Sequence, residues 1–225
     1  MITVVIPTSN SEVALAYTLA SLVGAAADGV VREVVVVDAG SRDGTLRVAD
    51  ESGCNILERN GDLAGRLRAG AAEGRRGSWL MFVRPGAVLS NGWHGEAATF
   101  AERAERSGRG VEMAAVFRFA LDEMGLAARV AEARVSLAAR VLRMPAAEQA
   151  LLLPRALYDK LGGHRDLPRY EEIDLVRRIG RGRLHVLHSE ARVASRADLV
   201  RARGRLGGAL LALRVSPEIL SRIGA

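Results

Sequence analysis

Two β-branched runs constrain the fold more than any other feature of the chain. Residues 2–6 (Ile-Thr-Val-Val-Ile) are closed by Pro7, and residues 33–37 carry four consecutive valines. Short continuous apolar runs of this kind predict strands buried on both faces. Each run ends in a polar turn, and each turn opens a segment with helical periodicity. After Pro7, Asn10 or Ser11 is placed to cap a helix reaching about Val23, with Leu15, Leu19, Leu22 and Val23 on one face. After Val37, the turn Asp38-Ala39-Gly40-Ser41-Arg42-Asp43-Gly44-Thr45 opens a helix to about Ser52. A short strand over 55–57, a helix over 63–73 and a fourth strand over 78–83 continue the pattern. This alternation implies parallel strands joined by right-handed crossovers.

The second half is less regular. Helices are predicted over 93–105, 127–142, 155–161 and 171–179, and strands over 112–119, 149–153 and 183–187. The helix over 127–142 is expected to bury Val130, Leu137 and Val141. A basic helix over 196–213 ends near Pro217. No repeat, low-complexity stretch or linker divides the chain. The expected architecture is therefore a single α/β domain, a mostly parallel central sheet flanked by helices.

Composition narrows the function classes. The chain is 49% hydrophobic and 26% charged, values ordinary for a globular protein. Cys54 is the only cysteine, which excludes an intramolecular disulfide, a CxxC redox pair and a thiolate zinc site. That fits a reducing, cytoplasmic setting. The N-terminus lacks the basic start of a signal peptide, and no apolar run approaches the roughly 20 residues of a membrane span. Net charge is +6, and Lys160 is the only lysine, so arginine supplies nearly all of the positive charge. The arginines are scattered rather than striped, and aromatics are 4% of residues. Both features argue against a nucleic-acid surface.

The signatures GxGxxG, GxxxxGK[ST], HExxH and GxSxG are all absent. In an open parallel sheet, ligands sit beyond the carboxyl ends of the strands. The polar turns at 7–12, 38–45 and 84–91 fall there. Asp43-Gly44-Thr45 reads as an ordinary helix cap, whereas Asp38 leaves an apolar strand directly and could equally contact a ligand.

These segments resemble a known family. VVIPTSNSE, VVVVDAGSRDGT and LPRALYDKLGGHRDLPRYEEIDLVRRI are similar to family 2 glycosyltransferases of the GT-A fold, and most closely to a short bacterial subgroup. Gly65-Arg66 with Ala69-Gly70-Ala71, and the tail with Ser195-Arg196 and Val215-Ser216-Pro217-Glu218, extend the likeness over nearly the whole chain. The resemblance implies a nucleotide-binding half (1–91), an acceptor-side half (92–195) and a helical tail (196–225). It implies inverting transfer of a hexose from a nucleoside diphosphate sugar, most often a UDP-sugar, to a hydroxyl acceptor. Pro7, Thr8, Glu12 and Asp38 would line the nucleoside pocket, and Arg66 and Arg68 would face the base or diphosphate. Glu172, within the acidic run Glu171-Glu172-Ile173-Asp174, would be the general base, since a sugar hydroxyl is a poor nucleophile until a carboxylate takes its proton. The local alternative is an acidic first turn favoured by the helix dipole.

One departure from the family pattern matters. The family places a DxD, or in this subgroup HADT, after the fourth strand, and its second acid holds Mg²⁺ or Mn²⁺ on the diphosphate. Here the stretch is Arg84-Pro85-Gly86-Ala87, so Arg84 and Gly86 stand where acids would be metal ligands. Either Arg84 replaces the metal as a fixed counter-charge, or the site is degenerate and the protein is a nucleotide- or sugar-binding protein with a sensory or assembly role. Arg68, where the subgroup has asparagine, would add a cation to the same cleft. His185 and His188 would point to opposite faces of a continuing strand. His188 also matches a late histidine that some relatives place near the metal. The arginines and leucines of 196–213 suit either a docked helix or contact with an anionic membrane surface.

Overall fold

The computed structural model describes residues 1–108, 112–123, 125–137, 147–167, 170–180 and 182–194. The elements, in chain order, begin β1 (Ile2–Thr8), α1 (Glu12–Ala27), β2 (Val31–Asp38), α2 (Thr45–Glu51), β3 (Asn55–Glu58), α3 (Leu63–Glu73) and β4 (Trp79–Phe82). They continue with β5 (Val88–Leu89), α4 (Trp93–Arg106), β6 (Ala114–Leu121), α5 (Leu126–Leu137), a 3₁₀ turn (Ala147–Gln149), β7 (Leu151–Pro154), α6 (Arg155–Lys160), α7 (Glu171–Ile179) and β8 (Leu184–Val193).

Among the described residues, eight strands join one sheet in the order β3-β2-β1-β4-β7-β6-β8-β5. The first four pair in parallel, as the alternation predicts. Beyond β4 the sheet is mixed. β7 is antiparallel to both β4 and β6, and β5 is antiparallel to β8, while β6 and β8 are parallel. Only β7 and β5 therefore run against the rest. The two-residue β5 is too short to carry a periodic signal.

Alternation along β1 divides the core. Ile2, Val4 and Ile6 pack with Leu15, Leu19 and Leu22 of α1 and with Trp93 of α4. Val5, pointing the other way, joins Val35 and Val37 of β2, Leu67 of α3, and Leu175 and Ile179 of α7. Both faces of the parallel half are covered by helices, which is why its strands are apolar throughout. A smaller cluster joins Phe119 and Leu121 of β6 to α5.

Three local expectations are corrected. α1 continues past Val23 to Ala27 and stops only where Gly29 adopts φ +69°. A left-handed residue just beyond the last turn is a position glycine takes without steric cost. Ser11 makes no side-chain cap for α1; the Asp43 carboxylate accepts the Glu12 N–H instead, at 3.1 Å. α5 buries Ala128 and Val135 rather than Val130 and Leu137, which are 49% and 62% exposed. Ala128 and Val135 are seven residues apart, two helical turns, and so share the face that packs with Phe119 and Leu121. Val141 and the helix expected over 196–213 lie outside the described residues.

Candidate active site

The carboxyl ends of β1 and β4 border a cleft of about 920 Å³. Thr8, Asn10, Arg66 and Arg84 line it with polar groups, as do Asp122 and Glu148. Val13 and Tyr17 of α1, with Val88 and Val193, supply apolar lining. Tyr17 is 64% exposed. It falls off the Leu15-Leu19-Leu22 stripe and lies one turn from Val13, a pairing visible in the sequence but not singled out there.

The first two turns brace each other. Glu12 Oε2 accepts the Gly44 N–H (3.0 Å) at the start of α2, while Asp43 Oδ2 accepts the Glu12 N–H at the start of α1. A Cβ on Gly44 would sit 2.4 Å from the Glu12 carboxyl, so only glycine permits this contact. Asp38 is fully buried. It accepts hydrogen bonds from Thr8 Oγ1 (2.8 Å) and from the Ser41 N–H (2.6 Å) and hydroxyl. Burial alone would raise its pKa, but the bonds from Ser41 and Thr8 outweigh it and hold the carboxyl below the usual range. Pro7 and Thr8 line the cleft; Glu12 and Asp38 build the turns behind it.

Arg66 reaches the cleft from α3. Its Nη1 donates to the Thr8 carbonyl at 2.9 Å, and its buried Nε has no partner. Burial and the neighbouring Arg84 charge lower its pKa, with Asp38 and Asp62 opposing. α3 can press against the sheet because residue 70 is glycine: a Cβ there would lie 2.5 Å from Val5 Cγ1 and 2.8 Å from Val37 Cγ2. Arg68 does not join the cleft. Two positions along a helix are about 200° apart, so it points elsewhere, donating to the His164 carbonyl (2.7 Å) and pairing with Asp166.

Arg84 follows β4, lines the cleft and pairs with the acidic run, whose Glu171 and Glu172 sit behind it and do not themselves line the cleft. Its Nε lies 3.1 Å from Glu172 Oε1 and its Nη2 lies 3.3 Å from Glu171 Oε1. Burial would depress its pKa, but the Glu172 and Glu171 charges outweigh burial and keep the guanidinium charged. Glu171 is raised, first by burial and then by Glu172, with Arg84 opposing. Asp174 is set apart from this group. It holds Arg178 Nε at 2.8 Å, and Arg178 donates to the Leu161 and Gly163 carbonyls, so Asp174 secures that loop.

The ground after β4 does not fit the metal that the family resemblance implies. Arg84 fills it with a permanent cation, which Glu171 and Glu172 already face and on which the Glu148 charge also acts. Among the described residues no cluster of three or more His, Cys, Asp or Glu side chains could hold a metal ion. His188 is almost fully exposed and pairs with Glu96. A register shift between β6 and β8 breaks the alternation of β8, so His185 and His188 are both exposed instead of opposed. Also among the described residues, no helix is long and apolar enough to cross a membrane.

Residues 3–107 match the model of glycosyl transferase family 2. No curated protein matches the chain in sequence. The fold is similar to that of S. aureus TarS 1-349 (TM-score 0.63, 18% identity, 90% of this chain and 63% of that one). It is also similar to glucosyl-3-phosphoglycerate synthase from Mycobacterium tuberculosis, in complex with Mn²⁺, UDP and glucosyl-3-phosphoglycerate (TM-score 0.61, 24% identity, 95% and 79%). The same synthase with Mn²⁺, UDP-glucose and phosphoglyceric acid gives a TM-score of 0.61 at 21% identity, over 96% and 80%. The chain thus spans under two thirds of TarS 1-349. Residues 3–107, just under half of the chain, thus resemble glycosyl transferase family 2, and the fold is similar to the mixed α/β architecture of these solved structures.

Proposed function

We propose that the cleft binds a nucleoside diphosphate sugar, with uridine as the base, and transfers its hexose to a hydroxyl acceptor with inversion. The observation that carries this reading is the convergence of Arg66 and Arg84 on one cleft at the carboxyl ends of β1 and β4. A leaving diphosphate develops negative charge that needs fixed cations or N–H donors. Pro7 and Thr8 would hold the nucleoside from the β1 turn, on a frame set by Glu12 and Asp38. Structural neighbours that bind UDP and UDP-glucose support the donor class.

Glu172 is the proposed base. It takes the acceptor hydroxyl proton as the hydroxyl oxygen bonds to the anomeric carbon. The bond from that carbon to the diphosphate oxygen breaks, and the diphosphate leaves with the electron pair. Glu171 stands beside the base, its pKa raised by burial and then by the Glu172 charge, with Arg84 opposing. Glu172→Gln is expected to abolish transfer in a UDP-sugar donor panel while leaving UDP binding intact. Retained transfer removes Glu172 as base.

A second reading is favoured by the tie between Arg84 and both glutamates, which occupies the proposed base. In that reading the protein binds a nucleotide or sugar without turnover, as a sensor or assembly partner. Any transfer product from the donor panel excludes it. A cytoplasmic location and contact of residues 196–213 with a membrane surface belong to the same proposal; co-sedimentation with anionic vesicles tests the contact.

A further inference from the structure

The geometry points to a diphosphate site that works without a divalent cation, its positive charge supplied by Arg66 from α3 and Arg84 from the end of β4. The inference rests on the nucleotide-sugar reading above and specifies its charge chemistry.

Three observations carry it. First, the ground after β4 holds a guanidinium where the family pattern has acids. Arg84 engages Glu171 and Glu172, and the charge of Glu148, which lines the cleft with Asp122, also acts on it. A divalent cation placed there would meet a fixed positive charge and two ligands already in use. Second, only Nε and one Nη2 hydrogen of Arg84 are committed to those carboxylates. A guanidinium carries five N–H donors, so the Nη1 pair and the second Nη2 hydrogen are left to serve an anion in the cleft that Arg84 lines. Third, Arg66 shares that cleft with a buried Nε that has no acceptor. Its guanidinium commits only Nη1, to the Thr8 carbonyl, and so keeps further N–H donors beside the cleft.

The electrostatics agree with the geometry. Arg84 disfavours the charge on Arg66, so the two cations repel each other across the cleft. An anion between them would relieve that repulsion, and a metal ion would add to it. The carboxylates behind Arg84 keep it charged and hold it at the cleft wall. A planar fork in a fixed position can bind two phosphate oxygens at once.

The test is calorimetric titration of the full chain with UDP, first in EDTA and then in Mn²⁺. It is repeated on Arg66→Gln, which leaves the Arg84 ion pairs in place. The dissociation constants in EDTA and Mn²⁺ are expected to agree within about three-fold. Arg66→Gln is expected to weaken both by about ten-fold or more, the usual scale for a lost charge-assisted bond. UDP binding that is more than ten-fold tighter with Mn²⁺ overturns the metal-free site while leaving the nucleotide-sugar reading intact. An unchanged constant in a folded Arg66→Gln overturns the two-arginine account. No binding of UDP, ADP, GDP, CDP or pyrophosphate in either condition overturns this inference and the nucleotide-sugar reading together.

Discussion

Arg84 Nε lies 3.1 Å from Glu172 Oε1, joining the loop after β4 to the first turn of α7 across 88 residues of sequence. With Glu171 on the same guanidinium, the pair is a largely buried charge cluster. Removing one partner of a buried pair leaves an uncompensated charge and typically costs about 3–5 kcal/mol. Arg84→Met should be destabilised on that scale in urea unfolding. Adding Glu171→Gln and Glu172→Gln to it should restore much of the loss. Losses that simply add across the three changes would show that the groups do not interact.

Glu171 gives a pH dependence of known sign. Its folded pKa is raised above its ordinary value, first by burial and then by Glu172. Folding therefore favours its protonated form. That stabilisation is present below the ordinary carboxylate pKa and is lost as pH rises through the folded value. Glu171→Gln should lack this loss, so its stability relative to the wild type should improve from about pH 4 to pH 8. A constant difference between the two proteins over that range would refute the assignment.

His164 should behave in the opposite sense. Burial, then the charges of Arg84, Arg178 and Arg68, push its pKa down to about 3. Its Nδ1 lies 2.9 Å from the Tyr158 hydroxyl, and its ring packs edge-on to Phe82. The neutral ring contributes stability above the ordinary histidine pKa, lost as pH falls toward the folded value. NMR titration should find no imidazole transition at His164 between about pH 5 and 8. A midpoint near that of a free histidine would mean the ring is not closed off from water.

Gly70 should resist replacement. In Gly70→Ala the added methyl meets Val5 and Val37 at 2.5 and 2.8 Å, so α3 must shift from the sheet. Overpacking of this kind costs about 1–3 kcal/mol. The shift should also weaken UDP binding, because α3 carries Arg66. Gly95→Ala is the control: nothing lies within 4 Å of its Cβ, and the gain in helix propensity should stabilise by up to about 1 kcal/mol. Equal stability changes at the two positions would contradict the packing account.

Tyr17 offers a probe of the apolar wall. It is exposed at the cleft edge, so Tyr17→Ala should change stability by less than about 0.5 kcal/mol in thermal unfolding. A much larger loss would mean that the ring packs into the core after all.

The strand–helix frame of the first half is legible in the amino-acid sequence. The runs at β1 and β2 are apolar on both faces because helices cover both sides of the sheet, and that burial is a local compositional signal. The sequence also marked the turns that reach the cleft, since parallel strands end together. What it could not decide was which side chains in those turns face a ligand. Asp38 and Glu12 read as ligand contacts, yet their oxygens accept N–H and O–H groups of neighbouring turns, across 32 residues for Glu12 and Gly44. Arg66 and Arg68 look alike in sequence, and helix geometry alone sends one to the cleft and the other to the 164–166 loop. The mixed sheet beyond β4 and the meeting of Arg84 with Glu171 and Glu172 were decided only by tertiary structure. Pairing between distant segments leaves no periodic trace in either one, because the partner that completes each charge or strand lies elsewhere in the chain.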